Sequence, residues 1–177
     1  MMPAAVFLDR DGVLNEAIVR DGKPYPPSTL DELVIVADAR PALDRLKAAD
    51  YRLVVVTNQP DVATGVQRRD VVDAINAALA AALPLDEVRV CYHDARAACA
   101  CRKPAPGLLL QAPAHDLRRS VMVGDRWRDV EAGARAGVGA CVLIDRAYRE
   151  LLTVEPDVRV RSLAEAADWI LTHRVGA

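Results

Sequence analysis

Aromatic side chains are scarce in this sequence: 177 residues hold one Phe, two Trp and four Tyr. A surface built to stack nucleobases needs more rings than that. Neither sign of charge is in excess, with 23 Lys+Arg against 25 Asp+Glu and a formal net charge of -2. The basic stripe of a nucleic-acid binder is therefore missing, and self-repulsion is too weak to hold the chain unfolded. No apolar run approaches the roughly 20 residues that a membrane-spanning helix requires. The apolar start, Met1-Met2-Pro3-Ala4-Ala5-Val6-Phe7-Leu8, meets Asp9 too soon for the core of a secretion signal. Cysteine occurs only at positions 91, 99, 101 and 141. Without an export signal, thiol or metal chemistry is a better default than disulfides. The expected setting is the cytoplasm, with neither a membrane nor a nucleic acid as partner.

What the sequence does have is apolar residues, 52% of the whole, enough for one core in one domain spanning 1–177. Short Val-rich runs at 4–8, 53–57, 88–92, 121–123 and 140–144 read as strands. Between them, 39–49, 68–83, 106–117 and 128–136 carry apolar residues at helical spacing. A last helix is expected over 162–172, with Ser162 and Glu165 as a capping box. Fully apolar strands alternating with helices predict a doubly wound, Rossmann-like α/β fold, its mainly parallel sheet covered by helices on both faces. Residues 15–35, with Gly22, Pro24, Pro26 and Pro27, break the rhythm and predict a loop or hairpin flap over the sheet edge. The insertion between the second and third strands is a single helix, leaving no room for a cap domain.

Ligands of such sheets bind beyond the carboxyl ends of the strands, and four successive strands end in reactive groups. They deliver Asp9-Arg10-Asp11-Gly12, Thr57-Asn58-Gln59, Cys91-Tyr92-His93 and Gly124-Asp125-Arg126. Two carboxylates as close as Asp9 and Asp11 repel each other unless a divalent cation or a shared proton compensates. Gly12 lets the chain turn at once.

The runs Phe7-Leu8-Asp9-Arg10-Asp11-Gly12-Val13-Leu14-Asn15, Val55-Val56-Thr57-Asn58-Gln59, Cys101-Arg102-Lys103-Pro104 and Val123-Gly124-Asp125-Arg126-Trp127-Arg128-Asp129 jointly resemble the haloacid dehalogenase superfamily of phosphatases. That resemblance implies a phosphomonoester hydrolase working through an aspartyl-phosphate. Asp9 would be the nucleophile and Asp11 the acid and base. Thr57 would bind the phosphoryl group, and Lys103 would supply the balancing cation. Mg²⁺ would be held by Asp9, the backbone carbonyl of Asp11, and Asp125, with Asp129 orienting Asp125 or a metal-bound water.

Cys91, His93, Cys99 and Cys101 place three thiols and one imidazole within eleven positions. That is a tetrahedral Zn²⁺ set with no open position, hence structural. Cys141 is expected to be buried and inert, and His115 and His173 to lie on the surface. The zinc loop is similar to that of the superfamily branch that includes heptose-bisphosphate and histidinol-phosphate phosphatases. The substrate implied is a small phosphorylated metabolite, foremost D-glycero-D-manno-heptose 1,7-bisphosphate at its 7-phosphate, with histidinol phosphate or another small sugar phosphate as the alternative. An amino-alcohol substrate would favour an acidic partner such as Glu16 or Asp21. Asn58, Gln59, Arg102 and Arg126 are the expected substrate contacts. The two arginines are placed to grip a second phosphate, joined by Arg20 and Lys23 of the flap. Such phosphatases tend to act as monomers.

Overall fold

The computed structural model describes residues 2–173 and 175. In chain order the elements are β1 (Ala5–Leu8), β2 (Ile18–Arg20), β3 (Lys23–Tyr25), α1 (Ala39–Ala48), β4 (Arg52–Asn58), α2 (Arg69–Ala82) and β5 (Glu87–Cys91). There follow α3 (Gly107–Leu110), β6 (Val121–Gly124), α4 (Trp127–Ala136), β7 (Ala140–Ile144), β8 (Val158–Val160) and α5 (Leu163–His173). Six strands pair in parallel in the order β5-β4-β1-β6-β7-β8. Because β1 lies between β4 and β6, the order reverses there and opens a crevice at the strands' carboxyl ends. No cap domain intervenes: between β4 and β5 the chain forms only a 3-10 turn and α2.

The period-two alternation of each strand divides the core into two layers. Val6, Leu8, Leu53, Val55, Val121 and Val123 pack against α1, α2 and α5 through Leu43, Leu46, Ile75, Leu79, Leu163 and Ile170. Ala5, Phe7, Val54, Val56 and Met122 face the other way, onto Leu108 and Leu109 of α3 and Val130 and Ala132 of α4. Both faces are therefore dry, which is why the strands read as continuous apolar runs. No helix among the described residues is long and apolar enough to cross a membrane.

The segment after β1 forms the expected flap. β2 and β3 pair antiparallel around Asp21 (φ 51°) and Gly22 (φ 75°), the Asp-Gly pair that suits a two-residue hairpin turn with both φ positive. Its base is pinned where the Glu16 N–H donates to Val34 O and the Val36 N–H to Leu14 O.

Three expectations are corrected. The helix over 106–117 shrinks to α3, because Pro113 supplies no N–H and restricts the residue before it; the chain there runs through a cis Ala112–Pro113 bond. A sixth strand, β8, was not foreseen: three residues of which only Val160 is fully buried give too short a pattern. His115 is not on the surface but buried. It stands edge-on to Phe7, with ring centroids 5.7 Å apart, and its Nε2 is 3.3 Å from Arg89 Nη2. Burial, then the Arg89 charge, holds its pKa below the usual histidine value. The partner that buries it comes from a distant strand, so local sequence carried no sign of it. His173 is exposed as expected, stacked on Trp169. The capping box of α5 is half formed: Ser162 Oγ accepts the Glu165 N–H (3.1 Å), but the Glu165 carboxylate reaches the Arg161 N–H.

Candidate active site

Asp9 leaves the end of β1, and its backbone N–H is held by Val123 O of β6 at 3.0 Å. The next turn closes on itself, with Gly12 at φ 86°. A methyl group at Gly12 would fall 1.8 Å from Asp125 Oδ2, so only glycine lets the β1 turn and the β6 end approach this closely.

The ammonium of Lys103 is 98% removed from solvent. It binds Asp9 Oδ1 at 2.9 Å and Asp129 Oδ1 at 2.6 Å. The other Asp129 oxygen accepts the Arg126 N–H at 3.0 Å, tying the start of α4 to the same lysine. Lys103 is placed from below by Asn58, whose side-chain amide donates to Lys103 O (2.9 Å) and whose Oδ1 accepts the Lys103 N–H (3.0 Å). Asn58 lines the cleft but spends both side-chain groups on the lysine's main chain.

Carboxylates outnumber cations here. Asp9, Asp125 and Asp129 bring ligand oxygens within 4.8 Å of one another, and both Asp125 oxygens are buried with only the Tyr148 hydroxyl as a hydrogen-bonding neighbour. Burial, then the Asp129 charge, pushes the Asp9 pKa up to about 6, against the pull of Lys103. Burial and the charges of Asp9 and Asp129 hold Asp125 well above the usual carboxylate range. Burial disfavours the Lys103 charge, but Asp129 and Asp9 more than offset it and keep the ammonium protonated. Buried carboxylate oxygens with so few donors, converging on one point, suit a hard divalent cation with oxygen ligands.

Asp11 faces elsewhere. Its oxygens accept hydrogen bonds from Arg10 (Nε and Nη2, 3.1–3.3 Å), Asn15 Nδ2 (3.0 Å) and Gln59 Nε2 (2.9 Å). Its carboxylate is thus outside the three-carboxylate group, which leaves its main chain as the route to a metal. Arg10 is fully buried and is itself held by Asn76 Oδ1 of α2 at 2.9 Å. Sequence reasoning assigned no role to Arg10 or Asn76; the run Asp9-Arg10-Asp11 was the available signal. Gln59, expected to touch substrate, is buried and does not line the cleft; its amide bridges Thr57 Oγ1 and Asp11 Oδ2, both at 2.9 Å.

The cleft has a volume of about 480 Å³. The flap supplies Lys23 and Tyr25, the loop after β5 supplies Arg102 and Lys103, and α4 supplies Arg128 and Asp129. A segment missed by sequence reasoning, after β7, adds Arg149 and Glu150. Glu150 forms an ion pair with Arg126, and Arg146 Nε donates to Gly12 O at 3.0 Å. Arg20 of the flap is exposed on β2 and absent from the lining.

The Cys–His cluster, eleven residues wide in sequence, forms a second candidate metal centre. Cys91 Sγ lies 3.9 Å from Cys99 Sγ, 3.2 Å from Cys101 Sγ and 3.5 Å from His93 Nδ1, and the Cys101–His93 separation is 3.3 Å. A tetrahedral zinc with bonds near 2.3 Å has ligand edges of about 3.8 Å, so the four groups fit one ion with little movement. All four cysteines are free, and Cys141 lies apart and buried, its thiol donating to Val130 O at 3.4 Å.

Comparison with known proteins agrees with this geometry. Residues 100–166 match the Hydrolase-like family model, described as HAD-hydrolase-like. The D-glycero-beta-D-manno-heptose-1,7-bisphosphate 7-phosphatase of Salmonella typhi is 35% identical over 182 residues, covering 94% of this chain and 89% of the relative. The protein of the same name from Pasteurella multocida is 36% identical over 157 residues, covering 81% of this chain and 82% of its own. Among solved structures, the D,D-heptose 1,7-bisphosphate phosphatase of B. bronchiseptica, complexed with magnesium and phosphate, superposes with a TM-score of 0.80 at 31% identity. That match covers 96% of this chain and 99% of the other.

Proposed function

Since the chain belongs to the haloacid dehalogenase-like phosphatases, we propose that it removes the 7-phosphate of D-glycero-D-manno-heptose 1,7-bisphosphate through an aspartyl-phosphate. The observation that carries the reading is the meeting of Lys103 with Asp9 and Asp129 in one cleft, beside the buried carboxylate of Asp125. The relatives' printed activity supplies the substrate.

In this reading Asp9 attacks phosphorus through Oδ2, since Oδ1 is held by Lys103 and by the Arg10 N–H (2.8 Å). The bond from phosphorus to the ester oxygen breaks, and Asp11 gives that oxygen a proton. Asp11 then takes a proton from water. The water oxygen bonds to phosphorus, the bond to Asp9 breaks, and inorganic phosphate leaves. Lys103 offsets the charge of nucleophile and phosphoryl group, and the Thr57 hydroxyl donates to a phosphoryl oxygen. Mg²⁺ would be held by Asp9, Asp125 and the main-chain carbonyl of Asp11, with Asp129 in reach; there it supplies charge neutralisation for the phosphoryl oxygens. Asn58 and Gln59 position Lys103 and Asp11 rather than touch sugar, while Arg102 reaches the substrate.

Zn²⁺ bound by Cys91, His93, Cys99 and Cys101 would be structural and would fix the loop that carries Lys103. The reading further includes a single domain over 1–177 acting as a monomer. Ligating thiols fit the reducing cytoplasm. Histidinol phosphate is served less well, because neither Glu16 nor Asp21 lines the cleft.

The test is turnover of heptose bisphosphate, histidinol phosphate and p-nitrophenyl phosphate, with and without Mg²⁺, by wild type and Asp9→Asn. Mg²⁺-dependent preference for the heptose ester, lost by at least roughly 10³-fold in Asp9→Asn, is expected. Equal activity of the variant, or preference for histidinol phosphate, would refute it.

A further inference from the structure

The sequence offers Arg102 and Arg126 for a second phosphate, but the structure commits one of them. Arg126 is ion-paired with Glu150 through both Nε and Nη2. In the first turn of α4, Arg128 lines the same cleft, and its guanidinium carbon lies 5.2 Å from the Trp127 ring centroid. It is half-buried. Burial, and then the neighbouring charges of Arg126 and Arg102, lowers its pKa.

Three guanidiniums therefore crowd one wall, and like charges brought together out of water are unfavourable unless an anion joins them. The two carboxylates that act on Arg128, Glu150 and Asp129, are already engaged. Glu150 holds Arg126; Asp129 accepts from Lys103 with one oxygen and from the Arg126 N–H with the other. Arg102 has a buried Nε with no partner, and neither Arg102 nor Arg128 has an ion pair among the described residues. Two guanidiniums without carboxylates, one from the zinc loop and one from a helix start, make a fork that matches a dianionic phosphate.

We propose that Arg128 determines specificity: with Arg102 it receives the non-reacting phosphate of the substrate, while Glu150 withholds Arg126 from that role. The proposal rests on the sugar-bisphosphate reading given above.

The experiment compares Arg128→Gln, Arg128→Lys and Arg126→Gln on heptose bisphosphate and on p-nitrophenyl phosphate, which has no second phosphate. Arg128→Gln is expected to raise KM for the bisphosphate roughly 10–100-fold more than KM for the aryl ester, the scale of lost charged hydrogen bonds. kcat on the bisphosphate should change little, Arg128→Lys should recover most of the loss, and Arg126→Gln should discriminate less. Equal KM changes on both esters, no change on either, or a larger effect at Arg126 would overturn the assignment. Failure of the underlying reading shows itself separately: wild type would then cleave the aryl ester and ignore the bisphosphate before any variant is made.

Discussion

Asp125 carries the sharpest conflict between stability and chemistry at the scale of single residues. Its two oxygens are buried with no partner beyond the Tyr148 hydroxyl, beside two further carboxylates with one lysine among the three. A buried carboxylate so poorly partnered costs free energy in the metal-free fold. Replacing it by the neutral Asn should therefore stabilise magnesium-free protein by about 2 kcal/mol, a rise of roughly 4–8 °C in Tm for a chain of this size, while abolishing Mg²⁺-dependent turnover. Thermal melts of Asp125→Asn and wild type in magnesium-free buffer check this; a lower Tm for the variant would show that Asp125 has a protein partner that matters. Residues of this kind were legible as chemistry, because Asp9, Asp11, Lys103 and Asp125 stand in recognisable runs. Their supports were not. Arg10 reaches Asn76 across 66 positions and Asn58 clasps Lys103 across 45, distances at which no local pattern survives.

Among the elements, the loop from β5 to α3 has the least regular structure and the most function. It carries three of the four zinc-type ligands, the fourth being Cys91 at the end of β5, then Arg102 and Lys103 immediately after Cys101. Gly107 closes it by donating to Ala100 O at 2.8 Å, where a methyl group would lie 2.2 Å from that oxygen. Burial pushes the Cys91 thiol up to about 12, so without a cation Cys91 stays protonated, and weak sulfur contacts join it to Cys99 and Cys101. Cys99→Ser should lower both Tm and kcat, the latter by at least the roughly 10–100-fold typical of disturbed metal surroundings. KM should move less, since Asn58 still grips the Lys103 main chain. Elemental analysis showing about one zinc per wild-type chain must accompany the melts; zinc-free protein of unchanged Tm and activity would remove the structural role. The spacing of Cys and His made this loop visible in sequence, whereas α3 was overextended past Pro113 because apolar periodicity continued where the backbone could not.

For the whole molecule, the site couples catalysis to global stability. An unfolded aspartate titrates near 3.9, while Asp9 in the fold is raised to about 6. The native state thus holds the Asp9 proton more tightly, and this contribution, complete below pH about 4, is lost as pH rises through 6. A divalent cation acts in the opposite sense, because it binds the ionised carboxylates. Adding saturating Mg²⁺ should therefore raise Tm by several degrees at pH 7.5 and distinctly less at pH 5.5, with zinc kept bound at both. Equal increments at the two pH values would mean that Asp9 is not strained by burial. The architecture that imposes this strain is the reversal of strand order at β1, which sends Asp9 and Asp125 from adjacent strands into one dry crevice.

By itself the sequence determined the alternation of strands and helices, the polar groups at the strand ends, the flap with its Asp-Gly turn, and the zinc-type spacing. Each of these is written in neighbouring residues: periodicity, turn chemistry and short motifs act over one or two turns of chain. Only the tertiary structure decided how partners were shared out among charged groups. Glu150, from a segment with no motif, takes Arg126 and leaves Arg128 and Arg102 facing the cleft; Arg10, Asn15 and Gln59 gather on Asp11; Arg89 buries His115. Pairings of this sort depend on which distant side chains the packed sheet brings within about 3 Å, where a hydrogen bond forms, and burial then makes each such choice costly to undo.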